Sequence, residues 1–269
     1  MLYQAKNATA PLGNTDMDYV SFGRGREALV MLPGLGDGLS TVRGKAIALA
    51  MMYRMYAKRY TVYIFSRKND LREGTSTRAM ARDQAEAMRA LGISKANVLG
   101  ISQGGMIAQY LAIDYPDMVS KLVLAVTLAK QNETIQKAVS AWIAFAKQED
   151  FKALMVDTAE RSYSERYITK HRMPLPLLGS LGRPESFTRF LIQANSCIQH
   201  DSFDELAKIA CPTLVIGGGC DRIVGATAAL ELAENINGSE LLLYEGLGHA
   251  LYEEARDFHT RVLAFLGKE

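Results

Sequence analysis

Short apolar runs alternate with segments of helical periodicity along most of the chain. Runs rich in β-branched and aromatic residues predict strands at residues 28–32, 60–65, 96–101, 121–126, 213–216 and 240–244. Apolar residues spaced three and four apart predict helices at residues 40–58, 76–91, 103–115, 225–235 and 252–266. Apolar strands separated by helices indicate an α/β fold with a mostly parallel central sheet flanked by helices. Residues 17–22 predict an antiparallel edge strand before this pattern begins.

Residues 128–206 break the alternation and contain no convincing strand. Two groups of apolar side chains there each fall on one helical face: Ile135, Val139, Trp142 and Phe145, then Phe187, Phe190, Leu191, Ala194 and Ile198. A proline-rich loop at residues 173–179 lies between them. We therefore predict a core formed by residues 1–127 and 207–269, with an all-helical cap at residues 128–206.

Composition and charge exclude several other classes of protein. The 269 residues carry 31 Lys and Arg against 29 Asp and Glu, a balance that argues against a nucleic-acid partner. Three cysteines without metal-ligand spacing predict no metal site, and no cofactor motif is present. The longest apolar run, residues 122–129, is too short to span a membrane. With no secretory signal visible, we expect a cytoplasmic protein without a membrane partner. The methionine-rich stretch at residues 51–56 invites a membrane or partner interpretation, but its spacing and the flanking Arg54, Lys58 and Arg59 favour a helix packed on the core with a solvated edge. The sequence carries no specific signature of an oligomer.

The sharpest chemical signal is Gly100-Ile101-Ser102-Gln103-Gly104, which matches Gly-x-Ser-x-Gly. Its serine falls between a predicted strand and a predicted helix, where a tight turn requires small neighbours. Such a turn holds the hydroxyl at the carboxyl edge of the sheet, so Ser102 is the candidate nucleophile.

A serine hydroxyl needs an adjacent base, and the base needs an acid to orient it. His249 follows the last predicted strand in a glycine-flanked loop, which makes it the candidate base. Asp221 follows the strand at residues 213–216 and is the candidate acid. Of the other histidines, His259 is expected to pack or lie at the surface. The remaining two, His171 and His200, belong to the predicted cap and could line a pocket.

The reaction also needs donors for a developing oxyanion. Residues 32–38 follow the first core strand, and their glycines allow backbone N–H groups to approach a ligand closely. The backbone N–H groups of Leu35 and Gln103 are the oxyanion-hole candidates. A phosphate-binding loop is excluded because neither glycine-rich phosphate-binding spacing is present.

These motifs together resemble the α/β-hydrolase superfamily over nearly the whole chain. Residues 33–35 stand where many members have His-Gly-x, residues 73–76 resemble the Gly-x-Ser turn, and residues 217–224 resemble the acid turn. The resemblance implies that the insertion after strand six is the family's helical cap. Ser at position 102, rather than Asp, argues against dehalogenase or epoxide hydrolase chemistry.

Hydrolysis of a small, mainly apolar carboxylic ester or lactone through an acyl-enzyme is the leading functional interpretation. A carbon–carbon bond hydrolase acting on a diketone and a thioesterase stay open, because the same triad serves all three. Aminopeptidase activity, with Glu160 or Glu165 facing a substrate amine, and a non-catalytic ligand-binding module are less favoured. The expected pocket walls in the cap are Trp142, Phe145, Met155, Tyr163, Met173, Phe187 and Phe190.

Overall fold

A central sheet runs through the molecule. The computed structural model of the protein describes residues 2–170 and 182–268, so His171 and the predicted loop at 173–179 lie outside the described residues. The strands are β1 (Lys6–Leu12), β2 (Thr15–Gly23), β3 (Glu27–Leu32), β4 (Tyr60–Lys68), β5 (Ala96–Ile101), β6 (Val119–Ala125), β7 (Thr213–Gly218) and β8 (Glu240–Tyr244). They lie in the order β1-β2-β4-β3-β5-β6-β7-β8. The predicted α/β fold is confirmed: β4, β3, β5, β6, β7 and β8 pair in parallel, and β1, β2 and β4 pair antiparallel.

Helices connect the parallel strands and cover both faces of the sheet. They are α1 (Ala46–Met52), α2 (Thr77–Ala90), α3 (Gln103–Asp114), α4 (Glu133–Lys147), α5 (Phe151–Ser162), α6 (Glu165–Lys170), α7 (Thr188–Ile198), α8 (Ala228–Asn235), α9 (Leu251–Glu254) and α10 (Phe258–Leu266). Helices α2, α3 and α8 pack on one face, and α1, α9 and α10 pack on the other. β5 and β7 are buried along their whole length, which explains why their sequences are mostly apolar, with Asn97 and Thr213 as the polar exceptions.

The antiparallel end of the sheet differs from the prediction. Residues 17–22 do form part of β2, but β2 is not an edge strand, because it pairs with both β1 and β4. The edge strand is β1, and most of its residues are exposed or half-buried, with only Ala10 and Leu12 buried. A strand that buries so few side chains leaves little hydrophobic pattern in the sequence.

Two predicted helices are shorter than their periodicity suggested. The helix predicted at 40–58 is confined to α1, because Gly44 has φ +79° ahead of it and tight turns follow Met52. The helix predicted at 252–266 is divided into α9 and α10 by Ala255, which has extended backbone angles (φ −78°, ψ 114°). The expectation that residues 51–56 pack on the core is wrong in part: Tyr56 is buried, but Met52 is 59% exposed.

A helical region follows β6, as predicted. Helices α4, α5 and α7 share an apolar cluster with Leu35 and Met106 of the core, so this region packs over the carboxyl edge of the sheet. Among the described residues between β6 and β7 there is no strand, only an isolated bridge between Lys130 and Asp201. The division of the chain into core and cap at residues 128 and 206 stays a prediction. Within residues 2–170 and 182–268, none of the helices has both the length and the hydrophobicity that a membrane span requires.

Candidate active site

The serine after β5 has a strained backbone. Ser102 has φ 54° and ψ −121°, a region of φ/ψ space that non-glycine residues rarely adopt. The flanking glycines allow this turn: a Cβ on Gly104 would lie 1.9 Å from the Leu32 carbonyl oxygen, and a Cβ on Gly100 would lie 2.6 Å from the Gly104 carbonyl oxygen. Strand, turn and helix together therefore have the form of a nucleophile elbow, which directs the serine hydroxyl away from the sheet.

The three side chains predicted to form a triad lie in one hydrogen-bonded chain. The distance between Ser102 Oγ and His249 Nε2 is 2.9 Å, and the distance between His249 Nδ1 and Asp221 Oδ2 is 2.8 Å. His249 and Asp221 are buried, while Ser102 is half-buried. The geometry allows His249 Nε2 to accept the serine proton while Asp221 accepts the Nδ1–H of the same ring.

Backbone contacts hold the acid and the base in place. The second carboxylate oxygen of Asp221, Oδ1, accepts hydrogen bonds from the N–H groups of Ile223 (2.8 Å) and Val224 (3.0 Å). This leaves Oδ2 for the imidazole. Next to His249, the N–H of Ala250 donates to the Ser162 carbonyl oxygen of α5 at 2.9 Å, so the histidine loop is attached to the cap region.

The two candidate oxyanion donors belong to two segments that adjoin the serine. Gln103 is the first residue of α3, and the first N–H groups of a helix have no intrahelical acceptor. Leu35 begins a short 3₁₀ helix, Leu35–Gly38, after β3. Neither N–H has a hydrogen-bond acceptor among the described residues. A Cβ built on Gly34 would lie 3.3 Å from Ser102 Cβ, so the Leu35 loop runs against the serine.

A pocket of about 510 Å³ opens onto Ser102 and His249. Its walls come from the core and from the cap region, with Leu35, Val42, Leu49, Trp142, Met155 and Ile223 supplying apolar surface. Of the residues expected to line it, Trp142 and Met155 do so, whereas Tyr163 does not, and its hydroxyl donates to Glu253 Oε2 at 2.5 Å. Phe187 and Phe190 are instead buried in the cluster of cap helices, with Phe145 packed beside them, and Met173 lies outside the described residues.

One lining residue that the sequence analysis missed is Lys45. It is half-buried, and among the described residues that line the pocket it is the only Lys or Arg. Its Nζ donates to the Ser40 carbonyl oxygen at 3.0 Å, and no carboxylate of the described residues lies within ion-pair distance. Burial lowers the pKa of Lys45, and the nearby Asp37 carboxylate opposes that shift.

The other histidines of the described chain lie away from the triad. His200 is buried, with Nδ1 at 2.9 Å from Thr77 Oγ1, and burial lowers its pKa to about 3. His259 Nδ1 lies 2.9 Å from the Tyr56 hydroxyl, which agrees with a packing role. Within residues 2–170 and 182–268, no group of three or more His, Cys, Asp or Glu side chains is arranged to hold a metal ion.

A buried polar network behind the Leu35 loop was also missed by the sequence analysis. Asp37 Oδ2 accepts hydrogen bonds from the backbone N–H of Arg67 (3.2 Å), Arg189 Nη2 (2.9 Å) and Gln193 Nε2 (3.0 Å). Burial by itself would raise the pKa of Asp37, but the guanidinium groups of Arg67 and Arg189 outweigh it and lower the pKa. No motif marks these residues, because they come from three distant segments of the chain.

Comparison with known proteins agrees with this fold. The family model described as "alpha/beta hydrolase fold" matches residues 27–255, so the chain belongs to the alpha/beta hydrolase fold family. It is a hydrolase of that fold. A relative from Klebsiella pneumoniae subsp. pneumoniae is 29% identical over 263 residues, covering 91% of this chain and 89% of the relative. That protein is a 2-hydroxy-6-oxononadienedioate/2-hydroxy-6-oxononatrienedioate hydrolase.

Solved structures have the same fold at lower sequence identity. An alpha/beta hydrolase enzyme from a Medee basin deep-sea metagenome library has a TM-score of 0.84 at 23% identity, covering 97% of this chain and 98% of its own. The enol-lactonase from Burkholderia xenovorans has a TM-score of 0.81 at 21% identity, covering 97% of this chain and 100% of its own. At these identities the likeness concerns the fold alone.

Proposed function

We propose that the protein is a serine hydrolase that cleaves a small, mainly apolar carboxylic ester or lactone through an acyl-enzyme on Ser102. The observation that carries this proposal is the continuous hydrogen-bonded chain from Ser102 through His249 to Asp221, at 2.9 Å and 2.8 Å. A serine at the floor of a pocket, with a base and an acid already aligned, is the arrangement that acyl transfer requires.

In the proposed reaction, Ser102 Oγ attacks the acyl carbonyl carbon while His249 Nε2 takes the hydroxyl proton. The negative charge that develops on the carbonyl oxygen is stabilised by the backbone N–H groups of Leu35 and Gln103. When the tetrahedral intermediate collapses, the carbon–oxygen bond breaks and His249 gives its proton to the leaving alkoxide. A water molecule then attacks the acyl-enzyme with His249 as base, which releases the acid and restores Ser102.

The pocket supports a compact acyl compound. Its volume of about 510 Å³ lies within the range of small-molecule sites, and apolar side chains such as Trp142, Met155 and Leu49 form much of its wall. Burial of an apolar substrate there is favoured by about 25 cal/mol for each Å² of apolar surface removed from water.

A second candidate, hydrolysis of a carbon–carbon bond in a diketone, is favoured by two observations. The Klebsiella relative carries the name of a hydrolase for an oxo-dienedioate, whose ending denotes two carboxylate groups. Lys45 supplies a cation in the pocket that could pair with such a group. In this reaction Ser102 would attack a ketone, and the electron pair of the broken carbon–carbon bond would pass to a leaving fragment that is then protonated through His249.

Labelling with a fluorophosphonate probe tests the nucleophile. We expect the folded protein to be labelled once per chain and Ser102→Ala not to be labelled. Ser239→Ala is the matched control, since that hydroxyl bonds the Ala233 carbonyl oxygen away from the pocket and its loss should leave labelling unchanged. An unlabelled wild-type protein would favour the ligand-binding module, and hydrolysis that survives Ser102→Ala would refute the proposed nucleophile.

A substrate screen then separates the two candidate reactions. Short aryl esters, lactones, acyl thioesters and vinylogous diketones are compared, with each substrate prepared in a neutral and a carboxylate-bearing form. For a carboxylate-bearing substrate, Lys45→Met should raise KM at least tenfold while leaving a neutral substrate unaffected. Diketone turnover above ester turnover would support the second candidate, and the reverse would support the first.

A further inference from the structure

A buried arginine lies behind both candidate oxyanion donors. Arg67, near the end of β4, is 1% exposed. Its Nη2 donates to the Pro33 carbonyl oxygen at 2.6 Å and to the side-chain Oε1 of Gln103 at 3.0 Å. Pro33 lies two residues before Leu35, and Gln103 itself carries the second donor. One guanidinium nitrogen therefore joins the two chain segments that carry the N–H groups proposed to receive the oxyanion.

A second set of contacts fixes the far end of the Leu35 loop. The backbone N–H of Arg67 donates to Asp37 Oδ2, so the loop is held at Pro33 and again at Asp37. From the cap side, Arg189 Nη2 bonds both Asp37 Oδ2 (2.9 Å) and the Arg67 carbonyl oxygen (2.8 Å). Two arginines therefore face one buried carboxylate behind the loop, Arg67 fully buried and Arg189 half-buried.

The guanidinium of Arg67 is not fully satisfied. Its Nε and Nη1 are buried and have no hydrogen-bond partner among the described residues. A buried charged group with unpaired donors is costly, and an apolar side chain of similar length would fill the same space at lower cost. Because of this desolvation cost, packing alone does not explain an arginine at this position. The two hydrogen bonds of Nη2 are the contacts that an apolar side chain could not make.

We infer that Arg67 is the positioning residue of the oxyanion hole: it holds the Leu35 and Gln103 backbone N–H groups in register by bonding Pro33 and the Gln103 side chain at once. This inference rests on the proposed function of Ser102. Arg67 does not touch the substrate. Its removal should weaken binding of the transition state more than binding of the substrate, because the donors act most strongly once charge has developed on the oxygen.

The test compares Arg67→Met and Arg67→Lys with the wild-type protein. Methionine removes both hydrogen bonds and the charge, whereas lysine keeps the charge and several donors on one nitrogen but has a side chain one bond shorter than that of arginine. Gln84→Met is the matched control: Gln84 is also fully buried and donates to the Ser66 carbonyl oxygen of the same strand, but it contacts neither donor segment. Each variant is titrated with a fluorophosphonate, so that kcat refers only to folded, active protein.

The readouts are kcat and KM for an aryl ester and the inhibition constant of a trifluoromethyl ketone, which forms a tetrahedral adduct with serine. For Arg67→Met we expect kcat to fall about tenfold to a hundredfold, less than the ~10²–10³ lost when a donor itself is removed. The affinity for the ketone should fall by the same factor while KM changes less than threefold. Arg67→Lys should recover part of the loss, and Gln84→Met should lower the melting temperature without changing the ketone affinity.

If Arg67→Met does not fold, Gln103→Met provides the second variant, because it removes the acceptor for Arg67 and keeps the Gln103 backbone N–H. Ketone affinity should again fall more than substrate affinity. Two results would overturn the inference about Arg67 while leaving the proposed function intact. One is an unchanged kcat and ketone affinity in a variant that the fluorophosphonate titrates, and the other is an equal loss in kcat and in 1/KM. A wild-type protein that the fluorophosphonate does not titrate would overturn the proposed function, and this inference with it.

Discussion

Replacing Asp221 with asparagine isolates the contribution of the acid to the proposed reaction. The N–H groups of Ile223 and Val224 both donate to Oδ1, so an asparagine at this position must direct its amide oxygen toward them. Its NH₂ group then faces His249 Nδ1. That contact is favourable only if Nδ1 is unprotonated, which leaves the ring proton on Nε2, and Nε2 can then no longer accept the proton of Ser102.

The size of the effect follows from the distance between the two charges. In the transition state the imidazolium is 2.8 Å from the Asp221 carboxylate oxygen. With an effective dielectric constant of about 20, the lost attraction is about 6 kcal/mol, which corresponds to roughly a 10⁴-fold lower kcat. The two side chains are nearly isosteric and the bonds to Oδ1 are kept, so the melting temperature should change little.

The assay is the hydrolysis of an aryl ester by enzyme whose folded fraction is measured by thermal denaturation. Asp114→Asn is the control, because Asp114 forms a surface ion pair with Arg78 at the far end of α3 and its loss should leave turnover unchanged. Turnover by Asp221→Asn within tenfold of wild type would refute this reasoning. The stretch after β6, residues 126–129, contains no carboxylate that could serve instead.

Two further predictions concern stability. In a denaturant titration, Gly104→Ala should lower the free energy of unfolding by about 3 kcal/mol or more, because the new methyl group would lie 1.9 Å from the Leu32 carbonyl oxygen. The same variant should abolish labelling of Ser102. Gly246→Ala is the control and should leave the free energy of unfolding unchanged, because no atom lies within 4 Å of the added methyl group. Burial keeps His200 neutral, with its pKa lowered to about 3. The unfolded chain therefore binds more protons as the pH falls from about 6.5 toward 3, and the free energy of unfolding should fall by up to about 1.4 kcal/mol per pH unit. In urea titrations between pH 7 and 4, the free energy of unfolding of His200→Gln should depend less on pH than that of the wild-type protein. The same pH dependence in both proteins would contradict the prediction that His200 stays neutral in the folded state.

Much of the fold was predictable because local pattern and tertiary environment agree in the sheet centre. β5 and β7 are buried on both faces, so their sequences are mostly apolar, and the turns that follow carry Ser102 and Asp221. The elements that were misjudged lie at the periphery. β1 buries few side chains, and the breaks near Met52 and Ala255 depend on turns that apolar periodicity does not encode.

Several features of the site needed the three-dimensional structure. Trp142 and Phe187 have the same apolar character and helical spacing, yet one lines the pocket and the other packs among the cap helices. Periodicity identifies which helical face is buried, but not what that face contacts. The sequence does not distinguish Lys45 from the other basic residues of the chain. The structure shows that Lys45 lines the pocket, next to α1.

The sequence by itself determined the alternation of parallel strands and helices in the centre of the fold. It also determined the three residues of the candidate triad, because each follows a strand and parallel strands bring their carboxyl ends to one edge. Only the tertiary structure decided how the site is supported. Asp37 contacts both Arg67 and Arg189, although it lies 30 positions from Arg67 and 152 positions from Arg189 in the chain. A buried charge finds its partners through packing of distant segments, and no local pattern in the sequence records that encounter.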